Sequence, residues 1–246
     1  MNWSQNDWKE EDKLYSPKRK VNNKGSRYHP HIIGSFYSQK NKRPVEYESL
    51  GERLFYYYLE LDTSVLRYYV QPIEVSIFSR NDEWFHIPDV LAYKQGFQPL
   101  LYQIKDNPDN ELTPKEELCN RYCRALALEK GWEYSVIYPK TMPQTLTRNI
   151  RFLKGFLKMR KYYPDWYDKV VDRLSFLEND SIEYLANSFK ETIDPLYLKP
   201  LIYHLLAKGT FLTDVNEIIN SQSIITVNSQ MVSPSTLSKG AVNFVL

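Results

Sequence analysis

The spacing of apolar positions along the chain predicts where helices and strands lie. In Glu46–Leu61, apolar residues recur every three or four positions, which predicts a helix. Short apolar or alternating runs predict strands at Val65–Val70 and Ile73–Ser79, with Pro72 between them. Residues 1–45 show no sustained period and are frequent in Asn, Lys and Pro, so we expect them to be loosely structured.

The middle of the chain predicts a hairpin, a helix and a further strand. Strands at Trp84–Tyr93 and Pro99–Lys105 flank a turn that contains glycine, which is typical of a hairpin. Thr113 is a suitable N-cap for a helix that runs to about Lys130, and Glu133–Tyr138 predicts the next strand. The order helix, strands, hairpin, helix, strand predicts an α/β fold with a mixed sheet flanked by helices.

The pattern changes after a helix predicted at Leu146–Lys161. Tyr163-Pro164-Asp165 interrupts the chain, so we expect a domain boundary near residue 164. Short helices at Ser181–Glu191 and Pro195–Ala207, followed by two short extended segments, suggest a small winged-helix-like domain. The predicted organisation is a basic lead-in at 1–45, a mixed-sheet domain at 46–164, a winged-helix-like C-terminal domain at 165–228 and a flexible tail at 229–246.

Composition is that of a globular protein. Of the 246 residues, 42% are hydrophobic, which suffices for a packed core. No apolar run approaches the roughly 20 residues of a membrane-spanning helix, and the first residues resemble neither a signal nor a transit peptide. We therefore expect a soluble cytosolic protein. Cys119 and Cys123 lack further ligands at zinc spacing, so we expect buried free thiols.

Positive charge is concentrated in two stretches, although the net charge is only +2. Lys13–Val45 holds nine basic residues and no acidic one, and Arg148–Pro164 is a second acid-free basic stretch. Segregated positive charge is what contact with nucleic-acid phosphates requires. A solvated tail and a solvated helix face explain it equally. The candidate DNA-binding residues are Lys18, Arg19, Lys20, Lys40, Lys42, Arg43, Arg151, Lys154 and Lys158.

Polar residues on the two hairpin strands are spaced to meet. Asp89 lies on the first strand, and Gln103 and Lys105 share one face of the second, because strand side chains alternate. The candidate oxygen ligands for a hard divalent cation are Glu52, Asp89, Gln103 and the carbonyl of Ile104. Lys105 could orient the attacking water in phosphodiester hydrolysis. The spacing alone is also explained by a structural role, with Asp89 capping a turn and Lys105 exposed.

Several short motifs follow one another in a specific order. The chain has a basic lead-in, a Glu-Ser-Leu-x-Glu element, an aromatic helix, an acidic Leu-Glu-x-Asp end and a Val…Tyr…Gln-Pro element. These are residues 34–47, Glu48-Ser49-Leu50-Gly51-Glu52, Phe55–Tyr58, Leu59-Glu60-Leu61-Asp62, and Val65, Tyr68 and Gln71-Pro72. The order resembles the opening of TnsA-type transposon endonucleases of the PD-(D/E)xK superfamily. Further similarities lie at His86–Val90, the family's Pro-Asp element, at Tyr102–Lys105, its Glu/Gln-x-Lys element, and at Pro195–Val227, its C-terminal domain.

The resemblance implies a restriction-endonuclease-like fold and a nuclease that forms part of a heteromeric cut-and-paste transposase in the bacterial cytoplasm, bound to the nucleoid when active. Such subunits cut the 5′ strands at transposon ends. Their partners are a DDE-type transposase and an AAA+ regulator, the latter contacted through the C-terminal domain. The implied cofactor is Mg²⁺, with Mn²⁺ as a substitute. The implied active-site residues are Glu52, Asp89, Gln103 and Lys105.

Three questions stay open at the level of the sequence. Glu48 competes with Glu52 for the role of metal ligand, because the two lie four residues apart in the predicted helix. His86 beside the Pro-Asp element could contact DNA or pack over the site. Gly51 replaces the bulkier residue usual before the catalytic Glu, and Gln103 replaces an acid. A stand-alone restriction or repair nuclease, or a catalytically idle DNA-binding subunit, remains an alternative function.

Overall fold

The residues of this chain fold into two units, which are described one at a time. The computed structural model describes residues 2–4, 6–21, 32–79, 82–109 and 112–229. The first unit comprises Met1–Leu59 and Ser64–Thr141, and the second comprises Glu60–Thr63 and Met142–Leu246. The chain therefore divides before the basic helix predicted at 146–161 rather than at residue 164, where the sequence suggested a boundary.

Among the described residues of the first unit, eight strands and three α-helices begin. In chain order they are α1 (Lys9–Leu14), β1 (Gly34–Ser38), β2 (Arg43–Tyr47), α2 (Leu50–Leu61), β3 (Val65–Val70), β4 (Val75–Phe78), β5 (Glu83–His86), β6 (Val90–Lys94), β7 (Leu100–Ile104), α3 (Pro114–Glu129) and β8 (Glu133–Ile137). The main sheet has the order β3-β6-β7-β8. Its pairs are antiparallel except β7–β8, which is parallel and is connected through α3. The fold is thus mixed α/β.

Helices cover both faces of the main sheet. On one face Leu91 and Leu101 cluster with Ala127 of α3. On the other face the ring of Tyr102 lies 5.1 Å from that of Phe55 on α2. Adjacent strand residues point to opposite faces, so Leu101 and Tyr102 contact different helices. The mixed sheet flanked by helices that the sequence predicts is confirmed in this unit.

Two predicted elements differ from those in the structure. The first helix begins at Leu50 rather than Glu46, because Arg43–Tyr47 pairs with Gly34–Ser38 as a strand. The strand predicted at Trp84–Tyr93 is broken after His86, and its two halves join different sheets. Proline at 88 has no N–H to continue a ladder, which accounts for the break.

The described part of the N-terminal segment is more ordered than its composition predicts. Residues 1–45 contain α1, β1 and the start of β2. Tyr15 is buried with Tyr69 and Tyr93 of the main sheet, and Trp3 and Trp8 pack against this cluster. Large aromatic side chains therefore anchor a segment that is otherwise polar.

The predicted capping of α3 is confirmed. The Thr113 hydroxyl accepts from the Glu116 N–H, and the Glu116 carboxylate accepts from the Thr113 N–H in return. Gly131 after the helix has a φ of 67°, in the left-handed region that favours glycine. Cys119 and Cys123 are buried free thiols on this helix, as expected.

The second unit combines helices with a three-stranded antiparallel sheet. Its elements are α4 (Gln144–Lys154), α5 (Tyr163–Leu177), β9 (Asn179–Ser181), α6 (Ile182–Asn187), α7 (Pro195–Ala207), β10 (Phe211–Leu212) and β11 (Ile224–Val227), with sheet order β10-β11-β9. The sequence did not predict α5. The Asn149 side chain of α4 bonds to backbone groups of Val215, Glu217 and Ile219, which explains why α4 belongs to this unit.

Two expectations about the ends of the chain and the membrane can be set beside the structure. The flexible tail predicted at 229–246 lies outside the described residues except for Ser229. Among the helices that are described, none is both long enough and apolar enough to cross a membrane.

Candidate active site

Asp89 lies directly before β6 and opposite Gln103 on β7. Its N–H donates to the carbonyl of Tyr102 at 3.0 Å, which continues the pairing of Val90 with Tyr102 by one residue. Its carboxylate Oδ2 accepts from Gln103 Nε2 at 2.5 Å and from the N–H of Ile104 at 2.6 Å. The predicted hairpin therefore brings these two candidate residues into direct contact.

The Asp89 carboxyl is buried and hard to ionise. Its pKa is raised to about 7, with burial as the largest cause and the charge of Glu52 as a further one, while the bond from the Ile104 N–H opposes both effects. The cations Arg19 and Lys105 also lower this pKa. A cation bound next to Asp89 would lower this pKa and so favour the ionised carboxylate near neutral pH.

Glu52 is held in the first turn of α2 by local donors. Its carboxylate accepts from the N–H of Glu48 at 2.8 Å, from the Ser49 hydroxyl at 3.3 Å and from the Tyr56 hydroxyl at 3.4 Å. Its own N–H donates to Ser49 Oγ at 3.0 Å. Burial raises the pKa of Glu52. The carboxylate thus caps its own helix, and a carboxylate has further lone pairs with which to bind a cation.

Tyr56 and Gly51 show how close Glu52 lies to the hairpin end. The pKa of the buried Tyr56 hydroxyl is raised first by burial and then by the charges of Glu52 and Asp89. A Cβ at Gly51 would lie 3.4 Å from Asp106 Oδ1 and 3.8 Å from a methyl of Ile104. These are ordinary contact distances, so a methyl side chain fits at Gly51, and the first turn of α2 lies against the end of β7.

Lys105 follows Gln103 by two residues and faces α3. Its ammonium pairs with the Glu116 carboxylate at 2.5 Å, and its N–H donates to the carbonyl of Ile137. The hydrogen bond from Lys105 is the main cause that lowers the pKa of Glu116 to about 2. Lys105 and Gln103 line one cleft of about 340 Å³. The sequence did not reveal Glu116 as this partner, because its capping role already explained it.

His86 packs against the site and positions Gln103. Its Nε2 lies 2.8 Å from Gln103 Oε1. The Gln103 amide nitrogen donates to Asp89, so its oxygen accepts from His86, which therefore carries its proton on Nε2. Burial lowers the pKa of His86 and favours the neutral ring. Of the two roles considered for His86, packing over the site is the one that its contacts match.

Glu48 does not share a helix face with Glu52. It precedes α2, and its carboxylate forms an ion pair with the guanidinium of Arg19. The charge of Glu52 contributes to the raised pKa of Asp89, whereas the carboxylate of Glu48 is paired with Arg19. Arg19, predicted as a DNA-binding residue, lies beside the acidic residues.

The other predicted DNA-binding residues have varied surroundings. Lys18 and Lys40 donate to the backbone oxygens of Leu14 and Val65. Arg43 lies over the ring of Tyr69. Lys20 and Lys42 are exposed. In the second unit, Arg151 and Lys154 belong to the last turn of α4, whereas Lys158 follows that helix.

The chain matches no protein-family model and no curated protein. The chemistry of the site therefore follows from its donor atoms. Within the described ranges, no group of three His, Cys, Asp or Glu side chains could hold a metal ion. The candidate set has two carboxylates, those of Glu52 and Asp89, and Asp89 is contacted by the amide nitrogen of Gln103 and the N–H of Ile104.

This donor set suits a hard divalent cation. Carboxylate, amide and carbonyl oxygens are the ligands of Mg²⁺ and Ca²⁺. Asp89 is buried and Glu52 is partly buried, and burial raises the pKa of each. A cation bound to both carboxylates would offset the cost of ionising them. Gln103 now turns its amide nitrogen toward Asp89. The Gln103 amide must therefore rotate before its oxygen can coordinate a cation bound to Asp89.

Proposed function

We propose that the chain is a Mg²⁺-dependent DNA endonuclease of the PD-(D/E)xK type, with Glu52, Asp89, Gln103 and Lys105 as its active site. The observation that carries the proposal is the contact of Asp89 with Gln103 across β6 and β7. Lys105 lies two residues further along, and the charge of Glu52 acts on Asp89. These are the groups that phosphodiester hydrolysis needs, at one end of a sheet.

Each residue has a distinct role in this proposal. Glu52 and Asp89 hold the cation, with oxygens of Gln103 and Ile104 as further ligands. A bound Mg²⁺ polarises the phosphoryl oxygen and lowers the pKa of a coordinated water. Lys105 orients the attacking water and offsets negative charge that develops on the phosphate.

His86 and Glu116 support two of these residues. His86 fixes the amide of Gln103, and Glu116 holds the ammonium of Lys105 toward the cleft. Neither is proposed to touch the reacting atoms, so both are positioning residues. Lys105, held by its partner, loses little further conformational freedom when it acts, whereas the amide of Gln103 must leave His86 and rotate before its oxygen can bind the cation.

The architecture of the first unit supports a restriction-endonuclease-like fold. Helix α2 leads into the main sheet, its strands β3, β6 and β7 are antiparallel, and the crossover helix α3 leads to β8, which is parallel to β7. In the second unit, α4 and α5 precede β9, and α6 and α7 lie between β9 and the pair β10–β11. This arrangement is compatible with the winged-helix-like domain that we propose for it.

The biological role proposed is cleavage of the 5′ strands at transposon ends, together with a DDE-type transposase and an AAA+ regulator that contacts the C-terminal domain. The support is the order of motifs in Gly34–Pro72 and the similarity of Pro195–Val227 to the C-terminal domain of TnsA-type endonucleases. The runner-up is a stand-alone nuclease with the same site, which predicts sequence-specific cutting by the chain alone.

Strand-resolved cleavage of labelled transposon-end DNA tests the proposal. The full chain is assayed with Mg²⁺, alone and with the products of the neighbouring transposition genes. We expect cuts on the 5′ strands only when the partners are present. Specific cuts by the isolated chain would favour the stand-alone nuclease. Absence of any cut in either mixture, with partners shown to be active on the 3′ strands, would overturn the nuclease assignment.

A further inference from the structure

Arg19 is tied to both segments that carry the acidic residues. Its guanidinium pairs with the Glu48 carboxylate, and the N–H of Glu48 donates to Glu52 at 2.8 Å. With its amide oriented to satisfy its neighbours, Gln71 donates to the carbonyl of Arg19 at 3.0 Å and accepts from Arg19 Nε at 3.2 Å. The N–H of Gln71 donates to the carbonyl of Asp89 at 2.8 Å. Arg19 therefore bridges the start of α2 and the start of β6.

The position of Arg19 is built into the fold. Gln71 is buried, with 5% of its surface exposed, and its φ of 50° lies in the left-handed region. That conformation is uncommon for a residue other than glycine. The carbonyl of Gln71 also accepts from the N–H of Lys18 at 3.0 Å. Backbone and side chain of one buried residue thus fix the segment that carries Arg19.

The guanidinium of Arg19 has a carboxylate on one side and solvent on the other. Its side chain is 49% exposed, whereas that of its partner Glu48 is 17% exposed. Its charge lowers the pKa of both Glu52 and Asp89, which agrees with a place near each of them. A guanidinium has five N–H donors, so contacts to Glu48 and Gln71 leave donors for a further oxygen ligand.

A second arginine lines a pocket next to Arg19. Arg19, Arg43, Gln71 and Glu46 are among the residues that line this pocket of about 140 Å³ beside the end of β3. Two arginines against one acidic residue favour an anionic ligand with several oxygens, and arginine suits phosphate through paired hydrogen bonds. A DNA strand that passes the acidic residues supplies a phosphate at every nucleotide.

We propose that Arg19 is an active-site residue that binds a backbone phosphate of the DNA strand at or next to the cleaved bond, and that Gln71 positions it. The inference rests on the proposed nuclease function and adds a second cation to Lys105. In the free chain Arg19 pairs with Glu48. When DNA binds, the guanidinium turns from Glu48 to the phosphate while its Nε stays bonded to Gln71.

The first test measures the rate of 5′-strand cleavage by the full chain with its partners. Arg19→Ala should lower kcat by about tenfold to a hundredfold, the loss typical of one charged donor to the reacting group, with KM for DNA changed by less than about threefold. Arg19→Lys should recover part of this loss, because Lys offers one ammonium in place of a planar fork. Lys9→Ala removes one exposed charge from the same N-terminal segment and should leave both constants unchanged.

The second test identifies the contacted phosphate. A neutral methylphosphonate replaces each phosphate in turn within three nucleotides of the cleaved bond, and both cleavage and duplex affinity are measured. At one position, methylphosphonate should reduce cleavage or DNA affinity for the wild-type chain but cause no further reduction for Arg19→Ala. Gln71→Asn, which suits a left-handed backbone, should lower kcat and add nothing to Arg19→Ala.

The outcomes separate this inference from the nuclease assignment. Coupling at one phosphate, in rate or in affinity, supports the contact. A second outcome is that the wild-type chain cleaves while the loss caused by methylphosphonate adds to the loss caused by Arg19→Ala at every position. In that case Arg19 does not bind a phosphate, and only this inference fails. If the chain binds DNA with coupling at one phosphate but never cleaves, the nuclease proposal fails and the contact stands. An unchanged kcat in a folded Arg19→Ala chain, with unaltered thermal unfolding, would also overturn the inference.

Discussion

Two buried side-chain amides, one in each unit, have the same chemistry and different surroundings. Asn149 in the second unit donates to the carbonyls of Val215 and Glu217 and accepts from the N–H of Ile219. Gln103 in the first unit instead bonds to two titratable side chains, those of Asp89 and His86. Asn149 is satisfied by backbone groups that cannot change charge, whereas Gln103 lies between groups that can.

The difference indicates which buried polar group maintains the fold and which serves chemistry. A buried amide with all its partners in the backbone stabilises one loop conformation. A buried carboxyl whose pKa reaches about 7, such as that of Asp89, costs stability when it ionises. Proteins retain such groups where function requires them, and shifted pKa values cluster at active sites. The comparison predicts opposite consequences of mutation at the two amide-centred networks.

The largest effect is expected at the acidic end of the Gln103 network. Asp89→Asn should lower the rate of 5′-strand cleavage by about a thousandfold or more, and so should Lys105→Ala at the end of β7. Each variant removes a group that is proposed to act on the reacting phosphate. Strand-resolved assays with Mg²⁺ and partner proteins measure this loss. Asp82→Asn is the matched control, because Asp82 is exposed and remote from the proposed ligands. Wild-type rates in either variant would remove the assignment.

One contact among the candidate residues could be predicted from the sequence, whereas the start of α2 could not. The contact of Asp89 with Gln103 follows from the turn between β6 and β7 and from the alternation of strand side chains, both of which are local rules. The start of α2 was predicted four residues too early, because Glu46 and Tyr47 fit a helix pattern as well as a strand. Only pairing with β1, a contact between distant residues, distinguishes the two.

The supporting partners were beyond the reach of sequence patterns. Glu116 contacts Lys105, Gln71 contacts Arg19, and His86 contacts Gln103, but no periodicity encodes any of these pairs. The position of α4 in the second unit is similar, since it depends on Asn149 and a loop some 66 residues away along the chain. Long-range contacts decided each feature that the sequence left open.

In the Asn149 network, mutation should reduce stability and leave the chemistry intact. Asn149→Ala removes the buried amide that bonds to two carbonyls and one N–H of the loop 215–219, and we expect a loss of about 1–3 kcal/mol in the free energy of unfolding. Urea denaturation measures it. Gln222→Ala, an exposed amide in the same unit, should change stability by less than about 0.5 kcal/mol. A stable Asn149→Ala chain with impaired cleavage would show that the comparison between the two amides is wrong.

The pH dependence of stability should distinguish the networks further. The pKa of Asp89 is raised in the folded chain to about 7 from an ordinary value of 3.8, so between these values the folded state binds more protons than the unfolded one. Its contribution to stability is therefore present below pH about 4 and is lost as pH rises to about 7, at no more than about 1.4 kcal/mol per pH unit. Asp89→Asn should remove this slope in metal-free urea titrations. The same slope in both chains would assign it to other groups.

The smallest effect is expected at the ion pair between Lys105, at the end of β7, and Glu116 of α3. Glu116→Gln keeps an oxygen that can accept from the Thr113 N–H, so the capping box survives, while the charge that holds Lys105 is lost. Both partners are partly exposed, and such pairs contribute about 0–1 kcal/mol. We expect kcat to change by less than about fivefold and thermal stability hardly at all. Glu117→Gln, on the same turn but exposed, is the control. A loss as large as that of Lys105→Ala would mean that Lys105 acts only while Glu116 holds it, and that the two form a single catalytic unit.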